Sequence, residues 1–166
     1  MSEEIMSNQY LTFKVNEEKY AFNVLNVREV LELAQLSKVP RMPDFMRGII
    51  NLRGSIVPVI DLKLKFGLGM TEKDIDTSII VCEIIMNDET IVMGLLADSV
   101  QEVIDLEDKD IDPTPYVGAE IDTAFIQGMG KRNEEFIIIL NMERILTVSE
   151  LNLVSEIPQQ DAAVSS

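Results

Sequence analysis

The sequence predicts an all-β fold with short helices, made of two similar halves. Most apolar residues fall in strand-length runs that are separated by short polar turns. The longest uninterrupted apolar run, residues 136–140, has only five residues, which is the length of a strand. Segments of the first half also recur in the second half in the same order. A chain of 166 residues, 46% of them hydrophobic, can bury such a core without a metal or a disulfide.

The predicted elements follow in order along each half. The strand-like runs are residues 9–15, 19–24, 48–52 and 55–61, and then residues 77–86, 91–97 and 136–141. Short polar turns at residues 16–18, at Arg53-Gly54 and at residues 87–89 divide most of these runs into hairpins. Asn26 followed by Glu29 has the pattern of a helix capping box, so we predict a short helix over residues 27–33.

The similarity of the halves indicates an internal duplication. Residues 15–18 align with residues 86–89 at an offset of 71, and residues 27–33 align with residues 100–106 at an offset of 73. Phe45 and Gly48 align with Phe125 and Gly128 at an offset of 80. Three matches in the same order are not expected by chance. Because each half is small for an independent core, we expect two small β units packed against each other.

Charge and composition exclude most functional classes. The chain has 14 Lys and Arg against 29 Asp and Glu, and its net charge of −15 disfavours nucleic acid and anionic membrane surfaces as partners. It has no His and one Cys, Cys82, which excludes nucleophile–His pairs, His-ligated or Cys-rich zinc sites and an internal disulfide. The single thiol, the absence of a secretory signal and the absence of a long apolar run predict a cytoplasmic protein.

Carboxylate chemistry is the one catalytic class that composition leaves open. Asp61, Asp98 and Asp122 are candidates for a buried acid–base pair, although nothing in the sequence indicates that two of them converge. Residues 108–112 open like a calcium loop, but Pro113 stands where the loop needs Gly, and Ala119 stands where it needs Glu. We interpret this segment as a solvated acidic loop, and we expect no metal or cofactor.

Residues 45–68, FMRGIINLRGSIVPVIDLKLKFGL, contain the most specific motif of the chain. The combination G-x-x-N-L-R-G, I-x-P-V-I-D-L and F-G-L resembles the signature of the CheW family of chemotaxis coupling proteins. The resemblance extends over about residues 8–150, and with no receiver or kinase domain the chain is similar to stand-alone members rather than to CheV or CheA. Residues 151–157 are expected to form a helical end, and residues 158–166 a disordered tail.

The resemblance implies two five-stranded, OB-like β-barrel subdomains with swapped topology, and a non-enzymatic adaptor without a cofactor. It implies that the adaptor binds the cytoplasmic tip of methyl-accepting chemotaxis receptors and the CheW-like regulatory domain of CheA. It implies no direct membrane contact, and a monomer that joins receptor arrays. On the matching positions, the receptor groove comprises Val27, Glu29, Val30, Gly48, Asn51, Leu52 and Arg53.

Several of these residues also have a purely structural interpretation. Val27 and Val30 fit a core, Glu29 fits a capping box and Gly48 fits a crowded backbone, while Asn51 is expected to order the turn through its side chain. Arg53 is the strongest functional candidate, because a charge at a tight turn projects outward and no acidic residue lies next to it in the sequence.

The second half differs from the first at two places that bear on partners. Residues 131–134 (KRNE) replace the NLRG of residues 51–54, so one receptor site is expected rather than two. The Pro-rich loop at residues 113–118 lies where the second half gains seven residues relative to the first. Added loops on rigid scaffolds often carry contacts, so Tyr116 and Val117 are predicted to face the kinase. Two alternatives stay open: a carboxylate enzyme, and an adaptor for a sensory kinase array that does not control motility.

Overall fold

The computed structural model describes residues 8–33, 35–86, 88–113 and 122–155, which form two β-sheets and short helices. The strands are β1 (Gln9–Val15), β2 (Glu18–Asn23), β3 (Val27–Glu32), β4 (Met46–Leu52), β5 (Ser55–Asp61), β6 (Ser78–Met86), β7 (Glu89–Ala97), β8 (Ser99–Asp105), β9 (Ile111–Asp112), β10 (Ile126–Arg132) and β11 (Glu135–Leu140). The α-helices are α1 (Leu62–Lys65) and α2 (Val148–Ser155), and 3-10 turns lie at Val24–Asn26, Asp108–Asp110, Thr123–Phe125 and Met142–Arg144. Among the described residues, no helix is long and apolar enough to cross a membrane.

Each sheet contains a hairpin from the other half of the chain. The first sheet has the order β3-β6-β7-β5-β4, so the hairpin β6–β7 of the second half lies inside the sheet of the first half. The second sheet has the order β8-β1-β2-β11-β10-β9, so β1–β2 lies inside the sheet of the second half. The pairs β5/β7 and β2/β11 are parallel, and all other pairs are antiparallel. The predicted all-β fold with swapped halves is confirmed, and neither half can complete its sheet alone.

Each sheet curls back on itself, so that the chain segment after one edge strand pairs with the strand at the opposite edge. Beyond β3, Ser37 forms a bridge with Ile49 of β4 through hydrogen bonds of 3.0 and 2.8 Å. Beyond β8, β9 pairs with β10 in the same way, which adds a sixth strand to the expected five. A Cβ atom on Gly48 would lie 2.6 Å from the Ser37 oxygen, and one on Gly128 would lie 2.9 Å from the Asp112 oxygen. Glycine at these aligned positions therefore permits the closing segment to pack on the strand.

The main hydrophobic core lies between the two sheets. It combines side chains of β1 and β2, such as Phe13 and Phe22, with side chains of the other sheet, such as Ile60 and Leu95. Each sheet also has a smaller cluster of its own, with Ala21, Ile104 and Ile139 in the second sheet and Val57, Ile79 and Leu96 in the first. The mixed main core packs the two units against each other, as the duplication predicts.

The hairpin turns have left-handed backbone at their tips. The two tip residues have φ of 53° and 69° at Asn16-Glu17, 53° and 89° at Arg53-Gly54, and 52° and 68° at Asn133-Glu134. Two consecutive residues with positive φ are typical of the turn that matches the twist of a two-residue β-hairpin. The turn at Arg53 therefore shares its geometry with the other two turns, and both of those turns have asparagine at the position of Arg53.

The helix predicted for residues 27–33 is wrong, because residues 27–32 form β3. The strand pairs antiparallel with β6, and its residues alternate between half-buried and exposed along its length. The capping box is not formed: the Asn26 side chain donates a hydrogen bond to the Glu83 carbonyl, and Asn23 caps the preceding 3-10 turn instead. Apolar residues at positions 27, 30, 31 and 33 fit either period, and the backbone pairing with β6 decides in favour of a strand.

Candidate functional site

Arg53 lies at the tip of the β4–β5 hairpin and projects into solvent. Its side chain is 71% exposed. The turn beneath it is fixed by Asn51, whose side-chain oxygen accepts a hydrogen bond of 2.9 Å from the Gly54 N–H. This is the turn-ordering bond expected for Asn51. The tight turn thus presents a guanidinium group on a rigid backbone, where a partner can reach it.

The guanidinium of Arg53 forms an ion pair with Glu29 of β3. This contact corrects the interpretation that no acidic partner explains Arg53, because the partner is distant in sequence and close in space. β3 and β4 are the two edge strands of the first sheet, so the pair joins the sheet's edges where the sheet curls back on itself. An ion pair this exposed contributes at most about 1 kcal/mol to stability. Its main effect is to orient the guanidinium.

A groove of about 500 Å³ opens beside this ion pair. It is lined by Arg28, Leu52, Arg53, Ser55, Val57, Thr90 and Val92. The apolar lining residues Leu52, Val57 and Val92 belong to the cluster that the first sheet buries on its own face. At the rim, Arg28 pairs with Glu83 at 2.6 Å. The groove thus combines three apolar side chains with two arginines and two hydroxyl side chains, which suits a partner segment that has an apolar side chain next to a carboxylate.

The remaining predicted groove residues occupy different surroundings. Val27 is half-buried against the main core, whereas Val30 on the same strand is 41% exposed. Gly48 is buried under residues 36 and 37, where its lack of a side chain permits close packing. The structure therefore brings together Glu29, Leu52 and Arg53, with Asn51 ordering the turn.

The aligned hairpin of the second half has the same backbone and different chemistry. Its turn, Asn133-Glu134, carries no arginine at the tip. Phe136 is 63% exposed, and the Lys131 ammonium lies 5.8 Å from the centre of its ring. Tyr116 and Val117, the residues predicted to face the kinase, lie outside the described residues.

The three candidate catalytic carboxylates do not converge on one another within the described part of the chain. Asp61 accepts hydrogen bonds from Thr71 and Arg47, Asp98 accepts one from the Asn16 N–H, and Asp122 accepts one from the Ala124 N–H. Each carboxylate thus has a structural partner of its own. No group of three or more potential metal ligands occurs among the described residues.

The residues that sequence reasoning missed are Arg28, Glu83 and the groove residues on β7. The strand alternation of residues 27–32 was the available signal for Arg28, and the helix prediction concealed it. The Arg28–Glu83 pair depends on the register between β3 and β6, and the β7 residues depend on the swapped hairpin. Neither the register nor the swap is encoded by a local pattern.

The chain matches the model of a known protein family over most of its length. The family model of the CheW-like domain matches residues 9–150. The chain belongs to the CheW-like family. This is a family of non-enzymatic scaffold proteins of chemotaxis, so the chain is a scaffold and the enzyme alternative is excluded.

Similar proteins share nearly the full length of this CheW-like chain. It is 32% identical over 154 residues to the chemotaxis protein CheW of Klebsiella aerogenes, covering 93% of this chain and 90% of that protein. It is 34% identical to the CheW of Helicobacter pylori, covering 87% and 84% of the two chains. The crystal structure of the scaffolding protein TtCheW from Thermoanaerobacter tengcongensis superposes with a TM-score of 0.76 at 38% identity, covering 90% of this chain and 94% of that one.

Proposed function

We propose that this protein is a cytoplasmic adaptor that couples methyl-accepting chemotaxis receptors to the histidine kinase CheA. The observation that carries the proposal is the Arg53 hairpin. It presents an exposed guanidinium, held by Glu29 and by the Asn51 turn, beside a groove that contains apolar side chains, in a chain of the CheW-like family. Preorganised charge next to apolar surface is the composition of a specific protein contact.

The receptor side of the adaptor is the surface around this hairpin. Glu29, Leu52 and Arg53 face the receptor, and Val30 extends the surface along β3. A carboxylate on the receptor tip can pair with Arg53 while a neighbouring apolar side chain enters the groove. Gly48 and Asn51 hold the hairpin in position, and Val27 packs the start of β3 against the main core.

The kinase side is a separate surface, for which we propose Tyr116 and Val117. In the sequence they belong to a Pro-rich segment between acidic residues, in the second half of the duplicated chain, whereas Arg53 belongs to the first half. An aromatic and a β-branched side chain suit an apolar contact with a β-barrel of the kinase regulatory domain.

Coupling then follows from simultaneous binding. When one surface binds a receptor and the other binds the kinase, each partner experiences a raised effective concentration of the other. Transfer of the signal requires that the receptor state changes the affinity or geometry on the kinase side, at a coupling free energy of about 1–3 kcal/mol. No covalent step is involved.

Titration calorimetry tests the two surfaces separately, with a receptor cytoplasmic fragment and with the CheA regulatory domain. Arg53→Asn is the sharpest variant, since Asn16 and Asn133 occupy the aligned turn position with φ of 53° and 52°. It removes the charge and preserves the turn. We expect it to weaken receptor binding at least tenfold, a change of about 1.4 kcal/mol, and to leave kinase binding unchanged.

The matched control is Arg132→Glu, next to the aligned turn of the second half, which should alter neither titration. Tyr116→Ala should weaken kinase binding alone. Wild-type receptor affinity in folded Arg53→Asn would contradict the proposed receptor surface. Absence of binding to both partners by the folded wild-type protein would contradict the proposed function.

A further inference from the structure

Arg28 is an extra residue in the pairing of β3 with β6. Val27 lies opposite Cys82 of β6, and two residues later Glu29 lies opposite Val81, the neighbour of Cys82. Over this stretch β3 therefore has one residue more than its partner strand, which is a β-bulge. Neighbouring side chains of a regular strand point to opposite faces of the sheet, whereas a bulge changes the direction of a side chain. The bulge thus allows Arg28 and Glu29 to reach the same side of the sheet.

The bulge brings two arginine side chains to one groove. Arg28 and Arg53 both line the groove of about 500 Å³ that contains three apolar side chains. The Nε atom of Arg28 lies 2.6 Å from the Glu83 carboxylate, and the Arg53 guanidinium is paired with Glu29. A guanidinium has five N–H donors, so it can bind a second carboxylate while a glutamate fixes its orientation. Because each arginine has a glutamate of its own, the groove offers two separate sites for carboxylates.

The second half of the chain has a bulge at the aligned place, with different side chains. Gln101 aligns with Arg28 at the offset of 73. Thr12 aligns with Glu83 at the offset of 71, and the register between β1 and β8 shifts next to it. The buried Thr12 hydroxyl donates to the Glu102 carbonyl at 2.8 Å and accepts from the Glu102 N–H at 3.1 Å. A bulge at this place therefore forms without an arginine, so the fold does not by itself require Arg28.

We propose that Arg28 is a second specificity-determining residue of the receptor surface, and that it binds a different carboxylate from the one that Arg53 binds. This inference rests on the proposed function and adds the chemistry of the partner. The receptor segment carries two acidic side chains, and an apolar side chain that enters the groove. The hydroxyl groups of Ser55 and Thr90 line the same groove and can donate to these carboxylates.

The charge of the whole chain makes two arginines at one groove selective. At a net charge of −15, the protein repels an acidic segment over most of its surface. The two guanidinium groups reverse this repulsion at the groove, so they determine where an acidic segment binds and in which orientation.

Titration calorimetry with a receptor cytoplasmic fragment tests the proposal, with Arg28→Gln as the main variant. This substitution gives β3 the residue that the second half has at its own bulge, so it removes the charge and preserves the bulge. We expect receptor binding to weaken by about fivefold or more, and kinase binding to stay unchanged. The melting temperature should also stay unchanged, because the Arg28 side chain is 53% exposed and its ion pair adds little to stability. Gln101→Ala is the matched control and should alter neither titration.

A charge exchange separates contact with the receptor from a structural role. Arg28→Glu/Glu83→Arg keeps an ion pair but places a carboxylate on the bulge, where it repels the receptor carboxylate. Receptor binding should therefore be weaker than in Arg28→Gln. If Arg28 served only to hold β3 on β6, the exchanged pair would restore wild-type binding.

An acid-to-amide scan of the receptor fragment identifies the groups that the arginines bind. One receptor substitution should lose its effect in Arg28→Gln, and a different one should lose its effect in Arg53→Asn. Wild-type receptor affinity in Arg28→Gln, restored binding in the exchanged pair, or one receptor carboxylate coupled to both arginines would overturn the inference. In each of these cases a weakened Arg53→Asn would still support the proposed function, whereas a wild-type protein that does not bind the receptor fragment would contradict both.

Discussion

Replacing Asp61 with alanine is expected to lower the free energy of unfolding by about 3–5 kcal/mol. The Asp61 carboxylate is fully buried. It accepts hydrogen bonds from the Arg47 guanidinium at 2.8 Å, from the Thr71 hydroxyl at 2.6 Å, from the Thr71 N–H at 2.9 Å and from the Lys63 N–H at 3.0 Å. One side chain thereby joins β4, the start of α1 and the loop after it.

The magnitude follows from what the substitution leaves behind. Thr71 is buried and loses the acceptor of both its hydroxyl and its N–H, at about 1–3 kcal/mol for each group left unsatisfied. Arg47 loses its charge partner, but this cost is small because Arg47 is partly exposed and also donates to the Thr71 carbonyl. The total is a large share of the 5–15 kcal/mol that is typical for a whole domain.

Urea unfolding monitored by circular dichroism measures this loss. Asp61→Asn removes the charge but keeps a side-chain oxygen that can accept hydrogen bonds. Asn141 shows that asparagine can do so at the aligned position, because its side-chain oxygen caps the 3-10 turn of the second half. A double-mutant cycle with Arg47→Met should give a coupling energy of about 1 kcal/mol or more. Asp98→Ala, which removes a half-exposed carboxylate, is the control. A loss below about 1 kcal/mol for Asp61→Ala, or no coupling to Arg47, would refute the reasoning.

Three further predictions concern packing, pH and reactivity. Gly48→Ala should destabilise the protein by about 1–3 kcal/mol in thermal unfolding, because its Cβ would lie 2.6 Å from the Ser37 oxygen. Partial burial acts to raise the pKa of Glu150, but hydrogen bonds from Lys65 and Thr147 outweigh it and lower the pKa. The contribution of Glu150 to stability is therefore present near neutral pH, and it is lost as the pH falls through the lowered pKa. Glu150→Gln should remove that part of the pH dependence of unfolding. Burial raises the pKa of the Cys82 thiol, so a thiol-specific reagent should label it only after unfolding.

Each of these predictions has a contradicting result. A Gly48→Ala protein as stable as the wild type would show that residues 36 and 37 move away from β4 at no cost. If the free energy of unfolding of Glu150→Gln decreases at low pH by as much as that of the wild type, the contact with Lys65 is not formed in solution. Rapid labelling of Cys82 in the native protein would show that the main core opens.

The hairpins were predictable because their information is local. Apolar runs on either side of the short turns at Asn16-Glu17 and Arg53-Gly54 indicate the strands, and the two-residue turns set the register of each pair. The duplication was predictable because three aligned segments kept their order. The duplication predicts two similar β units and leaves their arrangement open.

β3 was not predictable by the same reasoning. Residues 27–33 satisfy a helical period and a capping pattern, and only hydrogen bonding to β6, about 50 residues further along the chain, makes residues 27–32 a strand. The ion pair between Glu29 and Arg53 was missed for a related reason. It depends on the curl of a five-stranded sheet, which no short window of sequence contains.

The candidate site was predictable in part. The NLRG motif pointed to Arg53 and to the turn-ordering Asn51, and both have the expected local geometry. The groove residues on β5 and β7 were not predicted, because the groove combines these strands with β3 and β4 through the sheet topology and the swapped hairpin. The role of Gly48 required the position of Ser37, which the loop after β3 determines.

The most direct test of the central claim is a bridging measurement by sedimentation velocity. A receptor cytoplasmic fragment and the CheA regulatory domain are mixed with and without this protein. We expect the two partners to sediment together only when the protein is present, and we expect Arg53→Asn to retain the kinase domain but no longer to recruit the receptor fragment. Partners that fail to associate in the presence of the wild-type protein, or that associate equally well with Arg53→Asn, would contradict the claim.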